Sequence, residues 1–143
     1  MKAETLKGFF EGRITAPALA AEAEATRIDV RHAADDVLTD DLSADFVVAA
    51  DHLVALCDAV VRRQIKPEHL EVIASVLVRS ERFTWDPTTA SGSLVSKVIY
   101  AWEAPEINYL LSGATVKKFA HLLRTGKDTF DSADWSAVPR QHA

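Results

Sequence analysis

The sequence predicts an all-α protein, a single-domain bundle of five or six helices, and three observations point that way. The 143 residues are 48% hydrophobic and 26% charged, the balance of one globular core. Apolar residues recur three and four apart between helix-capping residues along most of the chain. No stretch alternates apolar and polar residues as a half-buried strand would, and no fixed-period repeat runs through the sequence. The bundle is expected over residues 1–126, with 127–143 as a polar tail.

The first helix is expected from Thr5 to Gly12, where Leu6, Phe9 and Phe10 share a face and Gly12 can take the positive φ that ends it. Thr15 then stands before Ala16-Pro17, so its hydroxyl can cap a second helix while Pro17 occupies the first turn, where a missing N–H costs nothing. That helix covers the alanine-rich residues 16 to 26. Val30 to Leu38 extends the helical pattern, although β-branched Ile28 and Val30 interrupt it. Ser43 is the best-placed cap for a long helix whose stripe is Phe46, Val47, Ala50, Leu53, Val54, Cys57, Val60 and Val61. Lys66-Pro67-Glu68 separates it from a helix with Leu70, Ile73, Ala74, Leu77 and Val78 inward. The short connection predicts that these two helices pack antiparallel.

Periodicity lapses from Phe83 to Gly92 around Trp85-Asp86-Pro87, a turn-rich connection. Ser91 or Ser93 is expected to open the next helix, with Leu94, Val95, Val98, Ile99 and Trp102 inward and Pro105 as its stop. Glu106 to Leu111 reads as extended. Ser112 caps a last helix carrying Val116, Phe119, Ala120, Leu122 and Leu123, closed by Gly126 after Arg124. Phe130 and Trp135 are the docking points available to the tail. Trp85, Trp102, Tyr109 and Trp135 fall at helix ends or connections, where large aromatics seal a core rim.

Charge is unevenly distributed. From Glu22 to Asp58 ten acids face two arginines, a net of −8, whereas 59–127 carries ten basic and six acidic residues, a net of +4. Such asymmetry speaks to partners or to self-association. Asp35, Asp36, Asp40, Asp41 and Asp45 fall within eleven residues with no cation between them. Their mutual repulsion suggests a solvated acidic ridge, or one that a cationic partner neutralises. The same charge disfavours direct nucleic-acid binding. Arg62, Arg63, Lys66, Arg79, Arg82, Lys117 and Lys118 are interspersed with acids and lack an aromatic stacking stripe, so they read as ordinary helix surface. The lone Cys57 excludes a disulfide framework and falls on an apolar stripe, as a small core residue would. With no signal-peptide-like apolar stretch and no long uncharged run, a cytoplasmic chain without a membrane span is expected.

Catalytic signatures are absent from the sequence. The five glycines lie singly at helix boundaries and form neither a P-loop nor a dinucleotide fingerprint, and Ser91-Gly92-Ser93 offers no nucleophile elbow. The strongest metal-like arrangement is Asp29, His32, Asp35 and Asp36, with Asp51, His52 or Asp58 from a facing helix. No Glu-x-x-His pair accompanies it, and His32, His52, His69, His121 and His142 are scattered, so no metal or cofactor is expected.

Leu6-Lys7-Gly8-Phe9-Phe10-Glu11-Gly12-Arg13-Ile14-Thr15-Ala16-Pro17-Ala18-Leu19 resembles the opening of the colicin D immunity-like group of small helical bacterial immunity proteins. There a short helix ending in Gly-x-Ile-Ser/Thr leads directly into a capped second helix. The likeness covers about a tenth of the chain and carries over no functional residue. It implies a non-enzymatic inhibitor of a cationic toxin domain, and the charge pattern makes Asp35, Asp36, Asp40, Asp41 and Asp45 the expected binding surface. A metal-binding bundle enzyme and a homodimer joining acidic to basic halves are the alternatives.

Overall fold

The computed structural model describes residues 1–29 and 37–136. It is a mainly α single domain, with six α-helices and two short strands among the described residues. The first helix, α1 (Ala3–Phe10), buries Leu6 completely and ends through Gly12 at φ +80°. Its last turn is closed by the Gly8 carbonyl, which accepts from the N–H groups of Arg13 (2.7 Å) and Ile14 (3.1 Å). Helix α2 (Ala16–Asp29) starts after Thr15, whose hydroxyl accepts the Ala18 N–H at 3.3 Å. From α2, the Glu22 carboxylate reaches the open N-terminus of α1, accepting from the Lys2 N–H (2.8 Å) and the Thr5 hydroxyl (2.9 Å). The expected helical extension over 30–36 lies outside the described residues, and Val37 and Leu38 are not helical.

Ser43 does not cap a helix. Helix α3 runs over Ala50–Val61, and Phe46–Val47 forms a strand, β1, instead. Its parallel partner is β2 (Phe83–Thr84), in register Phe46 with Phe83 and Val47 with Thr84. The Phe46 and Val48 N–H groups donate to the carbonyls of Arg82 and Thr84, both at 2.8 Å. This long-range pairing and the stacking of Phe46 on Phe10 (5.9 Å between centroids) outweigh the local helical period. The helix begins where His52 Nδ1 accepts the Ala49 N–H at 2.9 Å. Its C-terminus carries the bond pair of a Schellman turn, Arg63 N–H to Val60 and Gln64 N–H to Ala59, with Arg63 left-handed at φ 62°.

Beyond this turn comes α4 (His69–Arg79), but α3 and α4 are not the principal packing pair that a short connection predicts. The seven residues 62–68 are no tight hairpin, because Ile65 is buried and anchors the connection in the core. Helix α3 lies mainly against α6 (Gly113–Thr125), and α4 against α5 (Ala90–Glu103) and α2. Helix α5 starts earlier than Ser91 or Ser93 would have it. Thr89 is the cap, its Oγ1 accepting the Gly92 N–H at 2.9 Å, so Ser91-Gly92-Ser93 lies in the first helical turn. Helix α6 has the expected ends, with Ser112 accepting from the Thr115 N–H and Gly126 left-handed at φ +76°.

Between α5 and α6 the chain is not simply extended: Pro105–Ile107 makes one 3-10 turn, and Asn108 Nδ2 donates to the Ala104 carbonyl at 3.0 Å. The tail packs onto this connection through residue 136. Phe130 stacks on Tyr109 at 4.0 Å and meets Phe119 at 4.7 Å, while Trp135 lies 4.8 Å from Tyr109. Lys118 donates to Asp134 at 2.6 Å and secures the segment. Trp102, Phe119, Leu53, Leu56, Leu70, Ile73 and Ile99 form the centre of the core. Cys57 is buried there, and burial pushes its thiol up to about 12. No helix among the described residues is long and apolar enough to cross a membrane.

Candidate functional site

Two acidic surfaces compete for the role of partner site. Of the five aspartates singled out in the sequence, Asp35 and Asp36 lie outside the described residues, and the other three do not form an unpaired ridge. Asp41 faces inward. Its carboxylate accepts from the Ser80 hydroxyl (2.6 Å) and from the N–H groups of Glu81 (2.9 Å) and Leu42 (2.8 Å). Burial raises its carboxyl, but these three bonds outweigh burial and hold it below the ordinary carboxylate range. Asp45 sits 3.3 Å from the Arg82 guanidinium. Asp40 is exposed, and its backbone carbonyl accepts the Ala3 N–H. One physical origin accounts for the difference: pairing β1 with β2 draws residues 80–82 alongside the aspartates, a contact between positions about forty apart.

The metal-like arrangement fares similarly. His32, Asp35 and Asp36 are outside the described residues, and Asp29 is the last residue of α2. His52 spends Nδ1 on its helix cap and packs between Phe10 and Phe46, while Asp58 pairs with Arg124 across α3 and α6 at 2.9 Å. Among the described residues no three of His, Cys, Asp and Glu converge on one point. His69, buried between α2 and α4, has both ring nitrogens engaged: Nε2 is 2.8 Å from Glu24, and Nδ1 accepts the Lys66 N–H at 3.2 Å. Arg27 first, and then His69, hold the Glu24 carboxyl down at about 2. Each side chain in that chain of contacts has a structural task.

The second acidic surface is a cleft of about 400 Å³ between the start of α4 and the α5–α6 connection. Pro105, Leu110 and Leu111 make its apolar lining, and Glu68, Glu71 and Glu106 bring three carboxylates to it. Glu68 and Glu71 flank the first turn of α4, where the helix dipole favours negative charge. Glu106 comes from the 3-10 turn that Pro105 opens, and Ser136 of the tail completes the wall. The connection is held rigid by the Leu110 N–H donating to the Asp134 carbonyl (2.8 Å) and the Ser136 N–H donating to the Asn108 carbonyl (2.9 Å).

The electrostatics of this cleft are those of a site short of positive charge. Burial, and then the neighbouring Glu106 carboxylate, push the Glu71 carboxyl above its ordinary range, with Arg27 opposing. Arg27 is itself committed to Glu24 through two bonds, at 2.8 and 3.2 Å. Leu110 of the lining is 42% exposed, and so, next in the chain to lining residues Glu106 and Ser136, are Ile107 at 65% and Trp135 at 39%. Large apolar side chains left in water around a polar cleft mark a contact surface. Sequence reading missed these glutamates because Glu71 and Glu106 come from segments 35 positions apart, in an interval of net positive charge. The available signal was Ile107 and Leu110 in a short polar connection, apolar residues with no helical period to bury them.

No protein-family model, curated protein or solved structure matches this chain.

Proposed function

We propose that this protein is a non-enzymatic, protein-binding helical module that docks a cationic, partly apolar segment of a protein partner in the Glu68/Glu71/Glu106 cleft. The observation that carries the reading is the placement of three carboxylates around an apolar lining, with Ile107, Leu110 and Trp135 exposed beside them. A lysine or arginine entering there relieves the repulsion between Glu71 and Glu106, and its flanking apolar residues cover the exposed rim. The cleft is large enough for one or two long side chains, which suits a protruding segment of a partner. If the N-terminal resemblance to colicin D immunity-like proteins extends to function, the segment belongs to a toxin domain and the protein is its inhibitor.

The test is an NMR titration of the labelled protein with a blocked peptide of leucine and lysine, against a control with glutamate in place of lysine. Amide shifts should centre on Glu71, Leu110 and Leu111. Affinity should fall at least about tenfold in the triple variant Glu68→Gln, Glu71→Gln, Glu106→Gln, and should fall with added salt. Shifts centred elsewhere, or equal affinity for the triple variant, would refute the cleft as the docking site.

A further inference from the structure

We propose that the cleft is filled by a second copy of this chain, whose turn after α3 supplies the complementary cations. The inference rests on the reading of the cleft as a docking surface. That turn exposes Val61, Arg62, Arg63 and Lys66, with Val61 43% exposed. None of the three cations has an ion-pair partner among the described residues. Asp58, the acid one helical turn before Arg62, is committed to Arg124 at 2.9 Å. The molecule therefore displays three cations without such partners beside an exposed valine, and three carboxylates beside exposed Ile107 and Leu110. The charges match three against three and are opposite in sign, and each cluster has exposed apolar surface beside it.

Their positions suit a two-fold contact. A symmetric dimer uses one patch twice, so the patch must be complementary to itself. Arg63 and Glu68 are five residues apart, which a chain can span over at most about 18 Å. That separation lies within the span of one interface of ordinary size. A two-fold axis passing between them sets the arginines of each copy against the glutamates of the other. The turn is also preorganised. Arg63 is held at φ 62° by the Arg63 and Gln64 N–H bonds to Val60 and Ala59, a conformation that favours glycine. A cation fixed in that conformation gives up little backbone freedom on docking.

Sedimentation equilibrium of the full chain tests this with two charge-reversed variants. One carries Glu68→Lys, Glu71→Lys and Glu106→Lys; the other carries Arg62→Glu and Arg63→Glu. Wild type should be dimeric at low ionic strength and monomeric at high. Each variant alone should be monomeric, because like charges then meet in both contacts of its homodimer. Their equimolar mixture should restore a dimer through the contact in which reversed arginines meet reversed glutamates. Neutral variants, Arg62→Gln with Arg63→Gln, check the same point without reversal and should weaken the dimer at least about tenfold. A monomeric wild type, or a mixture that stays monomeric while circular dichroism shows both variants folded, overturns the proposal. Should the leucine–lysine peptide still bind the cleft of that monomeric wild type, the second copy is eliminated as occupant and the docking site stands. If the peptide does not bind either, both readings fall.

Discussion

Replacing Gly92 by alanine places a methyl group where the fold has no room for one. An ideal Cβ at this position would lie 1.8 Å from the Asp86 carbonyl oxygen, 2.5 Å from its carbon and 2.8 Å from Thr89 Oγ1. Those atoms belong to the turn that caps α5. The Asp86 carbonyl accepts from the Thr89 hydroxyl (2.9 Å) and N–H (3.2 Å), and Thr89 Oγ1 in turn accepts the Gly92 N–H. Relieving the overlap means moving backbone, at a cost of about 1–3 kcal/mol. Losing the Thr89 cap adds about 1 kcal/mol. Alanine's helix propensity returns about 1 kcal/mol. The expected net destabilisation is thus about 1–3 kcal/mol, read as a Tm lower by about 3–12 °C in a calorimetric scan. Gly113→Ala is the control: a Cβ there meets nothing within 4 Å and gains helix propensity, so its Tm should not fall below that of wild type. A Gly92→Ala protein as stable as wild type would refute the reasoning, because the overlap and the lost cap would then cost no more than helix propensity returns.

Asp41 ties the segment before β1 to the segment after α4, and Asp41→Asn should cost about 1–2 kcal/mol at pH 7 in urea unfolding, since an amide cannot accept all three bonds. Because the folded carboxyl titrates below its unfolded value of 3.8, the unfolded chain takes up the proton first. The advantage of the native carboxylate over the amide is therefore complete above about pH 5 and shrinks as pH falls through and below about 4. A gap that stays constant down to about pH 3 would exclude this role. Cys57, buried and pushed up to about 12, should resist iodoacetamide at about pH 8 and react only on unfolding, as mass spectrometry can show. Stoichiometric labelling of the native protein would contradict its burial.

The helices were legible where local chemistry alone decides them. Thr15, Pro17, Ser112 and Gly126 mark helix ends through bonds and dihedrals that need only near neighbours, and each holds the place its residue type implies. Phe46 and Val47 were not legible, because the same residues satisfy a helical stripe and a strand. What chose the strand is Phe83, 37 positions later, together with the stacking on Phe10. The tail illustrates the middle case: Phe130 and Trp135 announced a docking segment, but only the fold shows that they close over Tyr109 and Phe119.

Charge shows the division most sharply. Composition and spacing determined by themselves that this chain folds as helices around one core and that it carries opposite charges in different intervals, since those properties depend on counts and periods. Which charges stay unpaired is a matter of who lies opposite whom. The fold returned Asp41 to Ser80 and Asp45 to Arg82, and it gathered Glu68, Glu71 and Glu106 around an apolar lining. Electrostatic energy depends on distance in space and on exposure to water, and neither can be read from order along the chain.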